Sequence, residues 1–351
     1  MQLHRQSLTA YAAPLRETVI DCPQPQSSEV LVRISRCGVC HSDLHIHDGY
    51  FLLSEGKQLD IRAGRTLPFT LGHEIAGTVE RAGPDAPGVK VGAAVAVYPW
   101  IGCGQCLACK AGDENICAAP RHLGVTVDGG YATHVLVAHP RYLIDYAPLP
   151  AAYAGALMCS GLTAYAALKR LADRAGRAPL LLVGMGGVGM MGLALARAMF
   201  GVAPFVADID ATKREAALAA GAKAAFDPAE PDARKALFKA SGGGIYAACD
   251  FVGSDKSLNF ATGALAKGGK AVVTGLIGGA YSTAVAMFPL KAMTIEGTSM
   301  GTLAEARELI DLVRAKKIAP PPIEERPLGQ AQKSLEDLRA GRIIGRVVLT
   351  A

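Results

Sequence analysis

Charged residues are scarce in this sequence, and no long run carries charge of one sign. Asp, Glu, Lys and Arg make up 19% of the 351 residues, while 50% are hydrophobic. This balance excludes an intrinsically disordered chain, which needs low hydrophobicity and high net charge. The net charge of +5 forms no basic stretch, so the chain lacks the usual electrostatic signature of nucleic-acid binding. The length predicts two domains, each large enough to bury its own core.

Signals for export or membrane insertion are also lacking. The first residues have no apolar core of the kind that a signal peptide needs. Residues 178–196 carry no charge and could span a bilayer by length, but Pro179 and five glycines interrupt them. We therefore expect a cytoplasmic protein that neither crosses a membrane nor binds nucleic acid. In that reducing compartment, its nine cysteines should stay free of disulfides.

Four of the cysteines lie in one short segment with the pattern C-x2-C-x2-C-x7-C, namely Cys103, Cys106, Cys109 and Cys117. In a reducing compartment such spacing favours metal ligands over disulfides. Four thiolates around one ion form a closed tetrahedral site, which is typical of structural zinc. An iron–sulfur cluster also binds four thiolates, and unligated thiols are the remaining alternative. The segment alone predicts a loop held by a metal and does not indicate an enzyme.

A second group of metal-binding residue types is spread over three segments. The first contains Cys40, Ser42, Asp43 and His45, the second places His73 before Glu74, and the third contains Cys159. A catalytic zinc takes three protein ligands, for example two Cys and one His, and keeps a fourth position open. Asp43 is a candidate to accept the second N–H of the ligand His. Taken singly, each segment also fits an ordinary structural role without a metal, because a buried Cys usually acts as a small apolar residue.

The segment from residue 180 to 208 has the pattern of a dinucleotide-binding turn. An apolar run at 180–183 is followed by G-x-G-x-x-G and a helix-forming stretch, with glycines at Gly184, Gly186, Gly187 and Gly189. The free N–H groups at such a helix start can bind a pyrophosphate. A second strand ends at Asp208, where a carboxylate binds the ribose 2′-hydroxyl and repels a 2′-phosphate. The sequence therefore favours NAD over NADP, although a glycine-rich turn of another α/β fold stays an alternative.

Strands and helices alternate in the second half of the chain, which is typical of a doubly wound parallel sheet. We predict strands at 180–183, 204–207, 224–226, 246–252 and 270–276, and helices at 190–200, 212–220, 232–240 and 256–267. The first 150 residues instead hold short β-like runs broken by Gly and Pro, at 30–35, 76–81 and 91–97. A helix at 303–315 and a strand at 344–349 could return to that first domain.

The order of these motifs resembles one family closely. The motifs are GVCHSD at 38–43, GHE at 72–74, the four-cysteine segment, C-S-G-x-T at 159–163, and GMGGVG at 184–189 before a strand that ends in an acid. Together they resemble the zinc-dependent alcohol dehydrogenases of the medium-chain dehydrogenase/reductase family, over essentially the whole chain. The resemblance implies an α/β protein with a GroES-like β-barrel catalytic domain at 1–159 and 298–351. It also implies a structural zinc lobe near 102–118 and a Rossmann NAD-binding domain at 160–297.

The resemblance also implies two zinc ions per chain and a role for each site residue. Catalytic zinc would bind Cys40, His73 and Cys159, and structural zinc would bind Cys103, Cys106, Cys109 and Cys117. Glu74 would lie near the catalytic zinc, and Ser42 would pass the substrate proton through the cofactor ribose to His45. The remaining contacts would all be with the cofactor: His41 and Arg346 with the pyrophosphate, Lys213 and Asp208 with the adenosine ribose, Thr163 and Val188 with the nicotinamide.

The expected activity is the reversible oxidation of alcohols to aldehydes by hydride transfer to NAD. We expect primary alcohols of medium-chain, aromatic or ω-hydroxy type, because Tyr50, Phe51, Trp100 and, more weakly, His122 could wall an apolar pocket. The same residues could equally be core residues. A secondary-alcohol or polyol dehydrogenase or carbonyl reductase is the nearest alternative, and a non-catalytic, zinc-stabilised NAD-binding regulatory protein is a remote one.

Two further expectations follow from the resemblance. The loop at 49–67 is longer than in many relatives, which leaves open whether it gates the pocket. A homodimer or homotetramer is expected, and Ile295 near the end of the predicted Rossmann sheet could pair across a two-fold axis.

Overall fold

The computed structural model describes residues 1–176 and 178–351. The strands are β1 (Gln2–Leu8), β2 (Arg16–Asp21), β3 (Val30–Gly38), β4 (Tyr50–Leu52), β5 (Gln58–Asp60), β6 (Phe69–Thr70), β7 (Glu74–Ala82), β8 (Ala94–Val97), β9 (His134–Val137), β10 (Leu143–Asp145), β11 (Leu180–Val183), β12 (Phe205–Ala207), β13 (Ala224–Phe226), β14 (Ile245–Asp250), β15 (Leu265–Val273), β16 (Thr294–Gly297), β17 (Ile323–Pro327) and β18 (Arg346–Thr350). The helices are α1 (His41–Asp48), α2 (Leu107–Ala111), α3 (Ala151–Ala156), α4 (Leu162–Lys169), α5 (Ala172–Ala175), α6 (Gly187–Phe200), α7 (Ala211–Ala219), α8 (Ala233–Ala240), α9 (Asp255–Gly263), α10 (Met287–Lys291), α11 (Leu303–Lys316) and α12 (Ala331–Arg339).

The N-terminal half builds a mainly antiparallel sheet with β3 at its centre. The strand order is β10-β8-β7-β3-β18-β17, and β9 also pairs with β3. Strands β3 and β7 alternate apolar and polar residues only in part, because most residues of both strands are buried or half-buried. The last strand of the chain, β18, pairs antiparallel with β3. The C-terminal tail therefore returns to the N-terminal sheet, as the sequence analysis anticipated.

The second large sheet is parallel throughout. Its order is β13-β12-β11-β14-β15-β16, the 3-2-1-4-5-6 arrangement of a Rossmann fold. The central strand β11 is fully buried, which explains its unbroken run of Leu and Val. The predicted fold class, a GroES-like barrel with a doubly wound parallel sheet, is confirmed.

A continuous helical segment joins the two halves. Helices α3 and α4 are linked by a π-helical turn at Leu157–Gly161, and the combined segment Ala151–Lys169 is long and apolar enough to span a bilayer. However, 94% of its apolar window is buried inside the protein, as expected for a core helix. The predicted domain limit at 159/160 falls within this helix. The limits 1–159, 160–297 and 298–351 therefore stay a prediction.

Some predicted element boundaries were wrong. The helix predicted at 256–267 ends at Gly263, because Leu265 already pairs with Ile245 of the neighbouring strand. The strand predicted at 91–97 begins only at Ala94, since Gly92 has a positive φ of 87° and turns the chain. The stretch at 178–196, questioned as a membrane span, is divided between β11 and α6.

Candidate active site

Three of the predicted ligands meet where α1, β7 and the π-helical turn converge. Cys40 precedes α1, His73 precedes β7, and Cys159 lies within the π-helical turn. The donor atoms of these residues and of Glu74 all lie within 4.8 Å of one another, and the Sγ atoms of Cys40 and Cys159 are 3.8 Å apart. Two sulfurs bound tetrahedrally to one zinc ion are also about 3.8 Å apart. The donor set and its spacing therefore fit a zinc ion.

The ring of His73 is oriented for such an ion. Its side chain is fully buried, and within residues 1–176 and 178–351 neither ring nitrogen has a hydrogen-bond partner. Nδ1 lies 3.3 Å from Oδ1 of Asp43, so the carboxylate predicted to accept its N–H stands beside it. The other ring nitrogen is left for the metal.

Asp43 is itself held by three donors. Its Oδ2 accepts hydrogen bonds from the backbone N–H of Cys40 at 2.9 Å and from the hydroxyl of Tyr131 at 2.9 Å. Its Oδ1 accepts one from the N–H of Gly72 at 3.2 Å. These bonds fix the carboxylate next to His73. Sequence reasoning missed Tyr131, which lies 88 positions from Asp43 and has no motif that marks it.

Glu74 forms a fully buried ion pair with Arg346. Burial raises the pKa of the Glu74 carboxyl to about 7, while the guanidinium of Arg346 opposes this rise. Arg346 also lies against the dinucleotide turn, because a Cβ added at Gly187 would come within 2.6 Å of its Cδ. The sequence motifs indicate separate roles for these two residues and carry no sign of their pairing, since the residues are far apart in the chain.

Helix α1 presents the residues predicted for proton transfer. The Oγ of Ser42 lies 3.9 Å from the Sγ of Cys40, which puts the hydroxyl beside the metal cluster. His41 and His45 stand one helical turn apart. His41 is exposed, whereas partial burial lowers the pKa of the His45 imidazole. The ring of Phe51 packs on His45 with 4.8 Å between ring centroids.

Trp100 packs between His73 of the metal cluster and His122. The Trp100 ring centroid lies 5.2 Å from that of His73 and 5.4 Å from that of His122. Its indole N–H donates to the carbonyl of Met158 at 3.0 Å. Burial lowers the pKa of His122 to about 4, so this imidazole is neutral at physiological pH. Tyr50 instead opens β4 opposite Asp60, one residue before Phe51.

Sterics require two glycines of the dinucleotide turn, and a third leaves open space. Gly184 has a positive φ of 88°, and a Cβ at Gly189 would lie only 1.9 Å from the carbonyl oxygen of Gly184. A Cβ at Gly186 would meet no atom of the described chain within 4 Å. The first and third glycines thus serve the turn and close packing, and the second leaves space in front of α6.

The adenosine end of the predicted nucleotide site is built around Asp208. Its Oδ2 accepts from the N–H of Met185 at 2.6 Å and its Oδ1 from the N–H of Asp210 at 2.9 Å. Lys213 stands nearby in α7, with Nζ 3.8 Å from Oδ2 of Asp210. At the opposite end, Thr163 lies in the first turn of α4 and Val188 in the first turn of α6.

The four-cysteine segment forms a separate, more exposed cluster. Its four Sγ atoms lie within 4.8 Å of one another, with 3.8 Å between Cys106 and Cys117 and 4.0 Å between Cys103 and Cys109. Backbone N–H groups of Cys103 and Ala119 point at the Cys117 sulfur. This spacing matches one tetrahedral ion, whereas thiolates of an iron–sulfur cluster bind separate irons and stand farther apart.

A GroES-like barrel joined to a Rossmann sheet, with a buried Cys2His cluster next to the dinucleotide turn, defines the class of two-domain, zinc-binding dehydrogenases. Residues 26–148 match the model of the alcohol dehydrogenase GroES-like domain, and residues 187–315 match that of the zinc-binding dehydrogenase. The chain belongs to the zinc-dependent alcohol dehydrogenases of the medium-chain dehydrogenase/reductase family, which confirms the resemblance stated above.

Similar proteins span the whole chain. An NAD-dependent alcohol dehydrogenase of Sulfurisphaera tokodaii is 34% identical over 97% of this chain and 98% of its own length. The crystal structure of the alcohol dehydrogenase from Aeropyrum pernix has a TM-score of 0.88 and 29% identity, over 99% of this chain and all of that one. The D-arabinose dehydrogenase from Sulfolobus solfataricus has a TM-score of 0.85 and 26% identity, with both chains fully covered.

Proposed function

We propose that this protein reversibly oxidises alcohols to carbonyl compounds by hydride transfer to NAD, with one catalytic and one structural zinc. The observation that carries the proposal is the position of Arg346. This residue pairs with Glu74 beside the Cys2His cluster and also lies against Gly187 at the dinucleotide turn. A zinc-bound alcohol and a nicotinamide ring would therefore sit close together.

Zinc held by Cys40, His73 and Cys159 would act as a Lewis acid that makes an alcohol hydroxyl more acidic, and bound NAD would accept the hydride. The chain's own residues orient the reactants and move the proton. The Ser42 hydroxyl, which lies beside Cys40, would take the proton of the alcohol as it passes its own proton on toward His45. His45 lies one helical turn further along α1 and would release that proton to water.

Each of the other proposed roles has a structural basis. The N–H groups at the start of α6, together with His41 and Arg346, would bind the pyrophosphate. Asp208 stands at the end of β12, where its carboxylate would bind the adenosine ribose beside Lys213 and repel a 2′-phosphate. Thr163 and Val188 would pack on the nicotinamide. Asp43 would hold His73, and the four cysteines of the separate lobe would bind the structural zinc.

We propose primary alcohols with an apolar body as the preferred substrates, of medium-chain, aromatic or ω-hydroxy type. Trp100 lies beside the metal cluster, and the hairpin that follows α1 carries three exposed leucines, Leu52, Leu53 and Leu59. An alkyl or aryl group would bury part of this apolar surface. A secondary-alcohol or polyol dehydrogenase is the alternative, and the similarity to a D-arabinose dehydrogenase supports its inclusion in the test.

A substrate panel tests the function and separates these alternatives. NADH formation is followed with primary, secondary and polyhydroxylated alcohols, with NADP in place of NAD as a parallel series. We expect the highest kcat/KM with NAD and an apolar primary alcohol. A preference for sorbitol-like polyols would overturn the substrate assignment. If zinc-loaded protein forms no NADH with any of the alcohols tested, the result would favour the non-catalytic regulatory protein instead.

We further propose a cytoplasmic homodimer or homotetramer. Strand β16 lies at the edge of the parallel sheet and contains Ile295, so its free edge could pair with the same strand of a second copy. Light scattering of the purified protein tests this proposal. A mass of two or four chains is expected, and a single chain at micromolar concentration would contradict it.

A further inference from the structure

The hairpin formed by β4 and β5 directly follows the helix that carries His45. Helix α1 ends at Asp48 and is capped by Gly49, and β4 starts at the next residue, Tyr50. The N–H of Ile61 bonds to the carbonyl of Gly49 at 3.0 Å, and Arg62 closes the base by binding Asp60 at 2.7 Å. The hairpin is therefore anchored at its base to the end of α1.

On its inner side, the hairpin contacts His45 through Phe51. The ring centroids are 4.8 Å apart, and the two rings are inclined by 43°. The charged groups around His45 are His41 and Cys40 on the same segment, Asp48 one turn further on, and Arg339 from α12. Asp48 and Arg339 bind each other through two hydrogen bonds of 2.6 and 2.7 Å. Phe51 thus makes an aromatic contact with the imidazole ring.

On its outer side, the hairpin touches the half of the protein that carries the Rossmann sheet. A Cβ added at Gly278 would lie 2.5 Å from the carbonyl oxygen of Leu52. Gly278 is fixed in turn, because its N–H bonds to the carbonyl of Gly253 at 2.9 Å and it bridges to Ser254. The hairpin therefore reaches from His45 on one side to the nucleotide-binding half on the other.

We propose that Phe51 is a positioning residue that keeps the His45 ring aligned for proton transfer, and that the contact between Leu52 and Gly278 holds Phe51 in place. The proposal rests on the proposed function, in which His45 ends the proton relay. It gives Phe51 a role that differs from the pocket wall expected from the sequence. A pocket wall changes alcohol binding, whereas a positioning residue changes the chemical step and acts only through His45.

A double-mutant cycle separates these roles. Hydride transfer is measured as the single-turnover rate of NADH formation at saturating NAD and alcohol, for Phe51→Leu, His45→Gln and the double variant. We expect Phe51→Leu to lower the rate about fivefold with alcohol KM nearly unchanged, and to have no further effect once His45 is replaced. Phe51→Tyr, which keeps the ring, should restore most of the rate.

Equal effects of Phe51→Leu in both backgrounds, or an effect on KM alone, would overturn the proposal. A wild-type rate in His45→Gln would also overturn it. If the unaltered protein forms NADH from alcohols, the proposed function stands whatever the cycle shows. If the unaltered protein forms none, the proposed function itself fails.

A second pair of variants tests the contact from the other side of the hairpin. The methyl group of Gly278→Ala, at a position where φ is 104°, would push against Leu52. The methyl group of Gly279→Ala, where φ is a similar 124°, would meet Asp255 instead. We expect Gly278→Ala to slow hydride transfer in the presence of His45 and not in its absence. Gly279→Ala controls for backbone strain and should leave the rate within about twofold. Equal slowing by both variants would contradict the role of the Leu52 contact.

Discussion

Cys37 and Cys40 are three residues apart and have opposite chemical environments. Burial raises the pKa of the Cys37 thiol well above its ordinary value, and a Cβ at Gly130 would lie 2.7 Å from its sulfur. The pKa of Cys40 is instead lowered, first by the Cys159 thiol and then by His73. Cys37 is therefore a buried core thiol, and the lowered pKa of Cys40 favours the thiolate form that binds a metal.

Replacement of Cys40 tests this contrast. We predict that Cys40→Ala loses one of two zinc ions per chain and lowers turnover by at least about a thousandfold, while the protein still folds and binds NAD. Zinc analysis, NADH formation and NAD titration are measured on the same sample. Cys37→Ala is the matched control and should keep both zinc ions and activity. Turnover retained in Cys40→Ala would overturn the ligand assignment.

His122 gives a prediction for stability at low pH. Burial lowers its pKa to about 4, from 6.5 in the unfolded chain. As the pH falls through 6.5, the unfolded chain takes up a proton at His122 that the folded protein rejects, so stability falls between pH 6.5 and about 4. Between about pH 7 and pH 5, the free energy of unfolding should therefore fall by up to about 2 kcal/mol less in His122→Asn than in the wild-type protein. Chemical unfolding at the two pH values measures it.

The wild-type protein, unfolded at the same two pH values, supplies the reference for this measurement. Equal pH dependence in the His122→Asn and wild-type proteins would show that the imidazole is not held neutral by the fold.

At the scale of single elements, the start of α6 has a position that tolerates a side chain and a position that does not. A Cβ at Gly187 would collide with Arg346, whereas one at Gly186 would enter the space in front of the helix. We predict that Gly186→Ala raises the KM for NAD about tenfold and leaves thermal stability unchanged, because the methyl group occupies the approach of the pyrophosphate.

Gly329→Ala is the matched control, since a Cβ there also meets no atom of the described residues. Both variants are assayed for NAD affinity and thermal midpoint. Unchanged NAD affinity in Gly186→Ala would show that the dinucleotide does not approach this turn.

The four-cysteine lobe is a second element with a separable role. Its ligands hold α2 and the turn before Cys117 around one point, away from the Cys2His cluster. We predict that Cys109→Ala releases one zinc ion and lowers the thermal midpoint by roughly 5 °C or more, while kcat at low temperature stays within about threefold. Two zinc ions in this variant, or loss of turnover in the cold, would contradict a purely structural role.

Elements were predictable where local signals agreed with the fold. The run Leu-Leu-Leu-Val before a glycine-rich turn correctly marked β11 and the helix that follows. The end of the helix predicted at 256–267 was wrong, because Leu265 and its neighbours favour helix locally but pair with β14 in the fold. Pairing with a distant strand leaves no local signal, so it could not be anticipated.

At the scale of the whole molecule, motif order predicted the fold class, the two-part architecture and the members of both metal clusters. It did not predict how distant residues complete the site. The Tyr131 bond to Asp43 and the pairing of Glu74 with Arg346 join segments that only the folded barrel brings together. The same holds for the contact of Leu52 with Gly278, which depends on the packing of one half against the other.

The most direct test of the proposed chemistry follows the transferred hydrogen itself. The best alcohol of the substrate panel, deuterated at its carbinol carbon, is incubated with NAD and the zinc-loaded protein, and the product NADH is analysed by mass spectrometry. We predict deuterium on the nicotinamide ring with the unaltered protein and none with Cys40→Ala. NADH that carries no deuterium, or transfer that persists without Cys40, would contradict zinc-dependent hydride transfer at this site.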